Sequence, residues 1–177
     1  YKHRIPWLML LMISATFTSL IIARFEDALA VSIVLTGAIP MLMDTGGNCG
    51  GQASVTIIRA LSLGDIEFGD IFRVIWKELR VGIICGATLA IINFIKMWIQ
   101  MLITHDGNFL IIFTVSAALF AAVIVAKFIG CVLPIFAEKI GFDPAVMSSP
   151  FITTIVDALS LLIYFNLAVL ILKIPVA

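Results

Sequence analysis

Five stretches of this 177-residue chain are each long and apolar enough to cross a lipid bilayer, and that feature decides the fold class. A spanning helix needs about 20 consecutive, mostly apolar residues. The stretches cover residues 5–23, 28–61, 81–103, 109–137 and 150–172. Their continuity excludes the short alternating strands of a membrane barrel, each roughly 10 residues long. Backbone groups in lipid must be satisfied within their own segment, so an all-α bundle of five membrane helices is expected, forming one domain over residues 1–177. Composition agrees. Hydrophobic residues make up 62% of the chain and charged residues 12%, where a soluble domain carries about 25% charged. The 11 basic and 11 acidic residues balance, which argues against a nucleic-acid partner, whose binders present a basic surface.

An odd number of spans puts the two termini on opposite sides. Eight of the 11 basic residues (Lys2, Arg4, Arg59, Arg73, Lys77, Arg80, Lys127 and Lys139) fall on or near the side of the N-terminus. Arg24, Lys96 and Lys173 fall on the other side. Basic residues concentrate in the cytoplasm, so a multi-pass plasma-membrane protein is predicted, its N-terminus cytoplasmic and its C-terminus external. The first residue is Tyr1 rather than Met, and a cytoplasmic, regulatory segment before it is expected. Cys49, Cys85 and Cys131 lie far apart without a C-x-x-C pair, so they read as small apolar residues rather than metal ligands or disulfides.

The informative residues are the polar ones inside apolar segments. A carboxylate at the bilayer centre costs about 2.5–3.5 kcal/mol on insertion scales. Asp157 lies inside the fifth stretch and Asp44 inside the second. Thr153, Asp157, Ser160 and Tyr164 follow the i, i+4, i+7, i+11 pattern of one helical face. A stripe of hydroxyls and a carboxylate suits a water-filled cation path. An interhelical hydrogen-bond seam would use the same hydroxyls, but it does not call for the aspartate, which favours the path.

The second stretch carries Gly46, Gly47, Gly50 and Gly51 after Pro40. Each glycine disfavours helix by about 1 kcal/mol relative to alanine, and proline removes a backbone donor. The expectation is a helix interrupted by a glycine-rich break, with freed carbonyls, Asp44, Asn48 and Gln52 offering hard oxygen donors for Mg²⁺ or Ca²⁺. Close helix packing through small residues competes with that reading. Asp44 lies about 24 Å along a helix starting near Ala28, and Asp157 about 10 Å along one starting near Pro150. On that count both fall in the inner half of a bilayer core about 30 Å thick and can line one path.

Other charges take plainer readings. Lys96 and Lys127 lie towards segment ends and can snorkel to headgroups. His105 falls in an external loop. Glu26 and Asp27 either draw cations to the outer mouth or simply face water. Asp65, Glu67 and Asp70, mixed with Arg73 and Lys77 in the linker 62–80, read as a solvated face. An intramembrane enzyme using Asp44 and Asp157 as an acid–base pair is a rival. No substrate motif accompanies the pair, so no catalysis is expected.

Two motifs resemble a known family. Pro40-Met41-Leu42-Met43-Asp44-Thr45-Gly46-Gly47-Asn48-Cys49-Gly50-Gly51-Gln52 resembles the P-x-x-x-x-x-G-G-N-x-G-x-Q stretch of the MgtE family of magnesium transporters. Asp143-Pro144-Ala145, followed by Pro150-Phe151-Ile152-Thr153-Thr154-Ile155-Val156-Asp157, resembles its D-P-A…P-F-x-T-T-x-x-D stretch, and Phe25-Glu26-Asp27 matches its first external turn. The resemblance implies a homodimeric Mg²⁺ pore lined by the second and fifth helices of both subunits. It implies that Asp157 holds hydrated Mg²⁺ on the axis; Asp44 and Asn48, as hard oxygen donors, are further candidate metal-site residues. Gly46, Gly47, Gly50, Gly51, Gln52, Thr153, Thr154 and Ser160 are the expected pore lining. Mg²⁺ keeps several waters and needs only one or two carboxylates, which two copies of Asp157 on a two-fold axis would supply. Asp44 replaces a small residue found in many members, and an extra carboxylate pair bears on ion coupling. A Na⁺-coupled Mg²⁺ exchanger is therefore the alternative to a channel.

Overall fold

A computed structural model of the chain describes residues 5–30, 32–104, 108–141, 143 and 149–174. Among these the architecture is all-helical: α1 (Ile5–Arg24), a short α2 (Glu26–Ala30), α3 (Ile33–Ser62), a 3₁₀ turn (Phe68–Asp70), α4 (Ile71–Thr104), α5 (Phe109–Lys139) and α6 (Ser149–Leu172). By length and composition α4 with its preceding turn, α5 and most of α6 (Pro150–Leu172) can each cross a membrane, and Leu8–Arg24 is a shorter apolar helix. Lys2, Arg4, His105 and residues 144–148 of the second motif lie outside the described residues, as does the side chain of Asp27.

Local chemistry sets the helix ends. Ser32 caps α3, its Oγ accepting from the Val34 N–H at 3.2 Å. Asn108 caps α5 through Oδ1, which accepts from the Leu110 N–H at 2.8 Å. Gly64 and Gly141 follow α3 and α5 with φ of +71° and +78°, the left-handed turn that glycine takes without a β-carbon penalty.

The centre of the bundle is α5, which packs against α3, α4 and α6, while α3 also packs on α6 and α1 lies against α6. Leu42, Val115, Val123, Ala126, Ile152, Val156 and Leu161 form the interior with near-zero exposure. Phe25 reaches in from the α1–α2 corner and stacks on Phe165, ring centroids 4.9 Å apart. Buried Tyr164 donates its hydroxyl hydrogen to the Leu35 carbonyl at 2.8 Å, tying α6 to the first turn of α3.

Four expectations change. The glycine-rich segment does not interrupt its helix: α3 is continuous from Ile33 to Ser62. A broken helix in lipid would leave backbone groups unsatisfied, and the glycines instead let neighbours approach. A β-carbon on Gly130 of α5 would collide with the Gly50 carbonyl of α3, so the two backbones touch there. Second, the helix expected from residue 28 begins at Ile33, with α2 a separate turn before it. Third, α4 starts at Ile71 rather than 81, absorbing most of the predicted linker. Its first turns are amphipathic, placing Ile71, Val74 and Ile75 against Ile57, Leu61 and Ile135 while Arg73, Lys77 and Arg80 face outward. Fourth, Lys127 does not snorkel. It is buried, with Nζ 3.9 Å from Glu78 Oε2 of α4.

Candidate functional site

α3 has two unlike faces. Leu42, Gly46, Gly50, Ala53 and Ile57 are buried against α5 and α6. Pro40, Asp44, Asn48, Gln52 and Thr56, spaced four residues apart, are all exposed. Such spacing stacks side chains on one side of a helix. An exposed apolar residue is at home in lipid. A row of carboxylate, amides and hydroxyl is not, and rows of this kind face water or protein.

The helix α6 runs antiparallel to α3 beside this row. Gly46 faces Ser160 and Val156, Gly47 faces Thr153 and Asp157, and Gly50 faces Val156 and Ile152. Where the two helices meet, Met43, Asp44, Gly47, Asn48, Thr153 and Asp157 line an open cleft of about 160 Å³. A β-carbon on Gly47 would lie 3.3 Å from Asp157 Oδ1 and 3.2 Å from Thr153 Cγ2. Glycine is what lets the carboxylate sit flush against α3. A wider cleft of about 570 Å³ continues along the same face, lined by Asn48, Gly51, Gln52, Val55 and Thr56. Asn48 belongs to both, so the polar track runs along α3 from Asp44 to Thr56, about 18 Å at 1.5 Å per residue.

The residues singled out in the sequence divide accordingly. Asp44, Asn48, Asp157, Gly47 and Thr153 meet in one cleft, and Gln52 and Gly51 line the next. Thr153 and Thr154 both donate their hydroxyl hydrogens to the Pro150 carbonyl, at 3.0 and 2.8 Å, which leaves their lone pairs as acceptors. Gly46 and Gly50 are helix-packing positions. Ser160 and Tyr164 share a helical face with Asp157, as expected, but that face turns into protein at their level. Ser160 is 1% exposed, its Oγ 2.7 Å from where a Gly46 β-carbon would stand, so it packs between helices instead of lining the open cleft. Glu26 is exposed at the start of α2 and lines neither cleft. Met43, Val55 and Thr56, which no sequence motif marks, also line the two clefts. Thr56 continues the four-residue spacing of Asp44, Asn48 and Gln52, a signal sufficient to find it.

Among the described residues no group of three or more His, Cys, Asp or Glu side chains can cage a metal ion. What the cleft offers is two carboxylates, one amide and hydroxyl lone pairs. That hard-oxygen set is too sparse to strip a cation, and it suits one that retains its water.

The apolar helices define a multi-pass membrane protein. The model for the MgtE family, described as divalent cation transporters, matches residues 39–167, and the chain belongs to that family. The magnesium transporter MgtE of Thermus thermophilus is 36% identical over 170 residues, covering 96% of this chain and 36% of that protein. That of Bacillus subtilis is 38% identical over 170 residues, covering 94% and 36%. That of Enterococcus faecalis is 33% identical over 169 residues, with the same two coverages of 94% and 36%. The chain thus spans about 36% of the length of the curated relatives it matches.

Proposed function

We propose that the chain is the pore of a magnesium transporter and works as a homodimer, α3 and α6 of both copies lining the path. The observation that carries this reading is the meeting of Asp44, Asn48 and Asp157 in one open cleft on a polar row of α3. A single copy leaves that row uncovered within a membrane. A second copy related by a two-fold axis would enclose it, and its own Asp157 and Asp44 would bring the carboxylates at one level to four. Such a ring holds a hydrated divalent cation through its waters and releases it without rebuilding a full shell. The names of the curated relatives support Mg²⁺ as the cargo. On this reading α1, α3, α4, α5 and α6 are the five spans. The N-terminus faces the cytoplasm, and the membrane is the plasma membrane. Transport proceeds without catalysis.

The test is Mg²⁺ uptake into proteoliposomes by wild type and Asp157→Ala. Loss of uptake in a variant that still folds and inserts is expected. Undiminished uptake would remove Asp157 from the path.

A further inference from the structure

A second feature lies on α4, away from the polar row. The helix runs 34 residues, about 51 Å at 1.5 Å per residue, against a hydrocarbon core about 30 Å thick. Its two tryptophans mark where the excess falls. Trp76 and Trp98 are both exposed. They stand about 33 Å apart along the axis and about 40° apart around it. Tryptophan favours the two membrane–water boundaries, and this spacing fits one at each. The turn from Ile71 to Trp76 then stands level with headgroups.

The turns over residues 71–80 have two opposed faces. Ile71, Val74 and Ile75 pack inward, and Glu78 shares that side, paired with Lys127. On the other side Phe72, Trp76, Arg80, Arg73 and Lys77 follow one another around an arc of about 140°, and all five are exposed. Further along α4 the same arc carries Ile83, Ile84, Ile91 and Ile95, each about half exposed or more. Isoleucines so bare on a spanning helix face acyl chains. The basic and aromatic part of the arc is continuous with them, so it faces the same lipids at their headgroups. Among the described residues Arg73, Lys77 and Arg80 form no ion pair. Asp70, just before the helix, accepts the Glu67 N–H through Oδ2. Three cations without a counterion, at the depth of lipid phosphates, lack an anion.

We infer that this arc binds anionic phospholipid headgroups of the leaflet at which α3 ends. The guanidinium groups of Arg73 and Arg80 suit phosphate oxygens in pairs, and the Lys77 ammonium adds a third charge. Arg80 lies about 6 Å deeper than Trp76, and its stem carries the guanidinium outward to the phosphates. Trp76 fixes the depth of the arc, and the cations set its preference for anionic over zwitterionic lipid.

Fluorescence quenching in proteoliposomes tests this, with Trp76 as the sole reporter after Trp7→Phe and Trp98→Phe. The bilayer mixes phosphatidylglycerol and phosphatidylcholine with the same acyl chains, and one or the other is brominated. The reporter chain is expected to show about fivefold or greater enrichment of phosphatidylglycerol at Trp76, the scale of at least one basic residue at an anionic surface. Arg73→Gln, Lys77→Gln and Arg80→Gln together abolish the enrichment while Trp76 stays quenched. Arg73→Lys with Arg80→Lys retains it. Equal quenching by the two lipids in the reporter chain, or an enrichment that survives the triple substitution, overturns the proposal. No quenching by either lipid also overturns it, because the arc would then be covered by protein or stand in water. So does loss of the enrichment in phosphate buffer but not in chloride of equal ionic strength, since the arc would then read a soluble anion. If the triple variant fails to insert, Lys77→Gln alone decides: a lowered enrichment supports the proposal and an unchanged one overturns it.

Discussion

Asp157 Oδ1 stands 3.3 Å from the point where a β-carbon on Gly47 would be. The absence of a side chain on α3 therefore sets where the carboxylate on α6 rests. A contact at that distance is tighter than most real β-carbons tolerate, and the neighbouring atoms are the ends of side chains that can rotate. Gly47→Ala is expected to fold, because Thr153 and Asp157 can give way. The carboxylate then leaves its position, and Mg²⁺ uptake in proteoliposomes falls about tenfold, as misplacing a working group by a fraction of an ångström to an ångström does elsewhere. Unchanged uptake would show that the position of Asp157 is not critical.

Asp44 shares the cleft with Asp157 but stands on the exposed row of α3. In the proposed pore its charge adds to the field on the cation. Asp44→Asn keeps the size and removes the charge. A unit charge several ångströms from a divalent ion in a half-solvated site is worth about 1–3 kcal/mol. The apparent Mg²⁺ affinity should weaken by roughly ten- to a hundredfold, with maximal flux less affected. An unaltered dose–response would return Asp44 to a structural role.

Tyr164 and Leu35 join α6 to α3 at the end of the helix pair remote from Thr153. The phenol is fully buried, and its 2.8 Å bond to the Leu35 carbonyl is its recorded polar contact. Tyr164→Phe preserves the ring packing against Phe165 and removes that bond. A thermal or denaturant assay should register about 1 kcal/mol of lost stability, with Mg²⁺ affinity unchanged because the hydroxyl is outside both clefts. A shift in affinity instead would place Tyr164 in control of the α3–α6 spacing.

Much of this was legible from hydropathy and cost. Asp44 and Asp157 stood out because nothing apolar explains a carboxylate in a spanning segment, and the spacing of Thr153 to Asp157 placed that pair on a recognisable face. What periodicity does not tell is where a face points. Ser160 and Tyr164 follow Asp157 around α6, yet the crossing with α3 buries them while Asp157 stays at the edge. Glycine misled in a related way. In water Gly46 to Gly51 would weaken a helix, whereas in lipid the backbone has no other partner, and the crossing at Gly50 and Gly130 uses the missing side chains. The start of α4 escaped a hydropathy reading because Arg73, Lys77 and Arg80 dilute a helix whose apolar side is narrow. Lys127 was judged by its place in its own segment, while its partner Glu78 lies on another helix.

That pair supports the last prediction. Lys127 and Glu78 are 9% and 13% exposed in their side chains and 3.9 Å apart across the α4–α5 interface. Gly82 makes room for the lysine stem, its β-carbon position 3.4 Å from Lys127 Cβ and Cγ. Removing one member leaves the other charge in a low-dielectric interface, a loss of about 3–5 kcal/mol where pairs are fully buried. With this long contact and residual exposure, Lys127→Met is expected to lose about 2–3 kcal/mol. Adding Glu78→Gln removes the orphaned charge, so the double variant should be more stable than Lys127→Met alone. Thermal unfolding of the two single variants and the double variant measures this coupling directly. Strictly additive losses would mean that the two charges do not depend on each other, and that the α4–α5 interface is held by its apolar packing and the Asn93–Ser116 hydrogen bond of 3.1 Å.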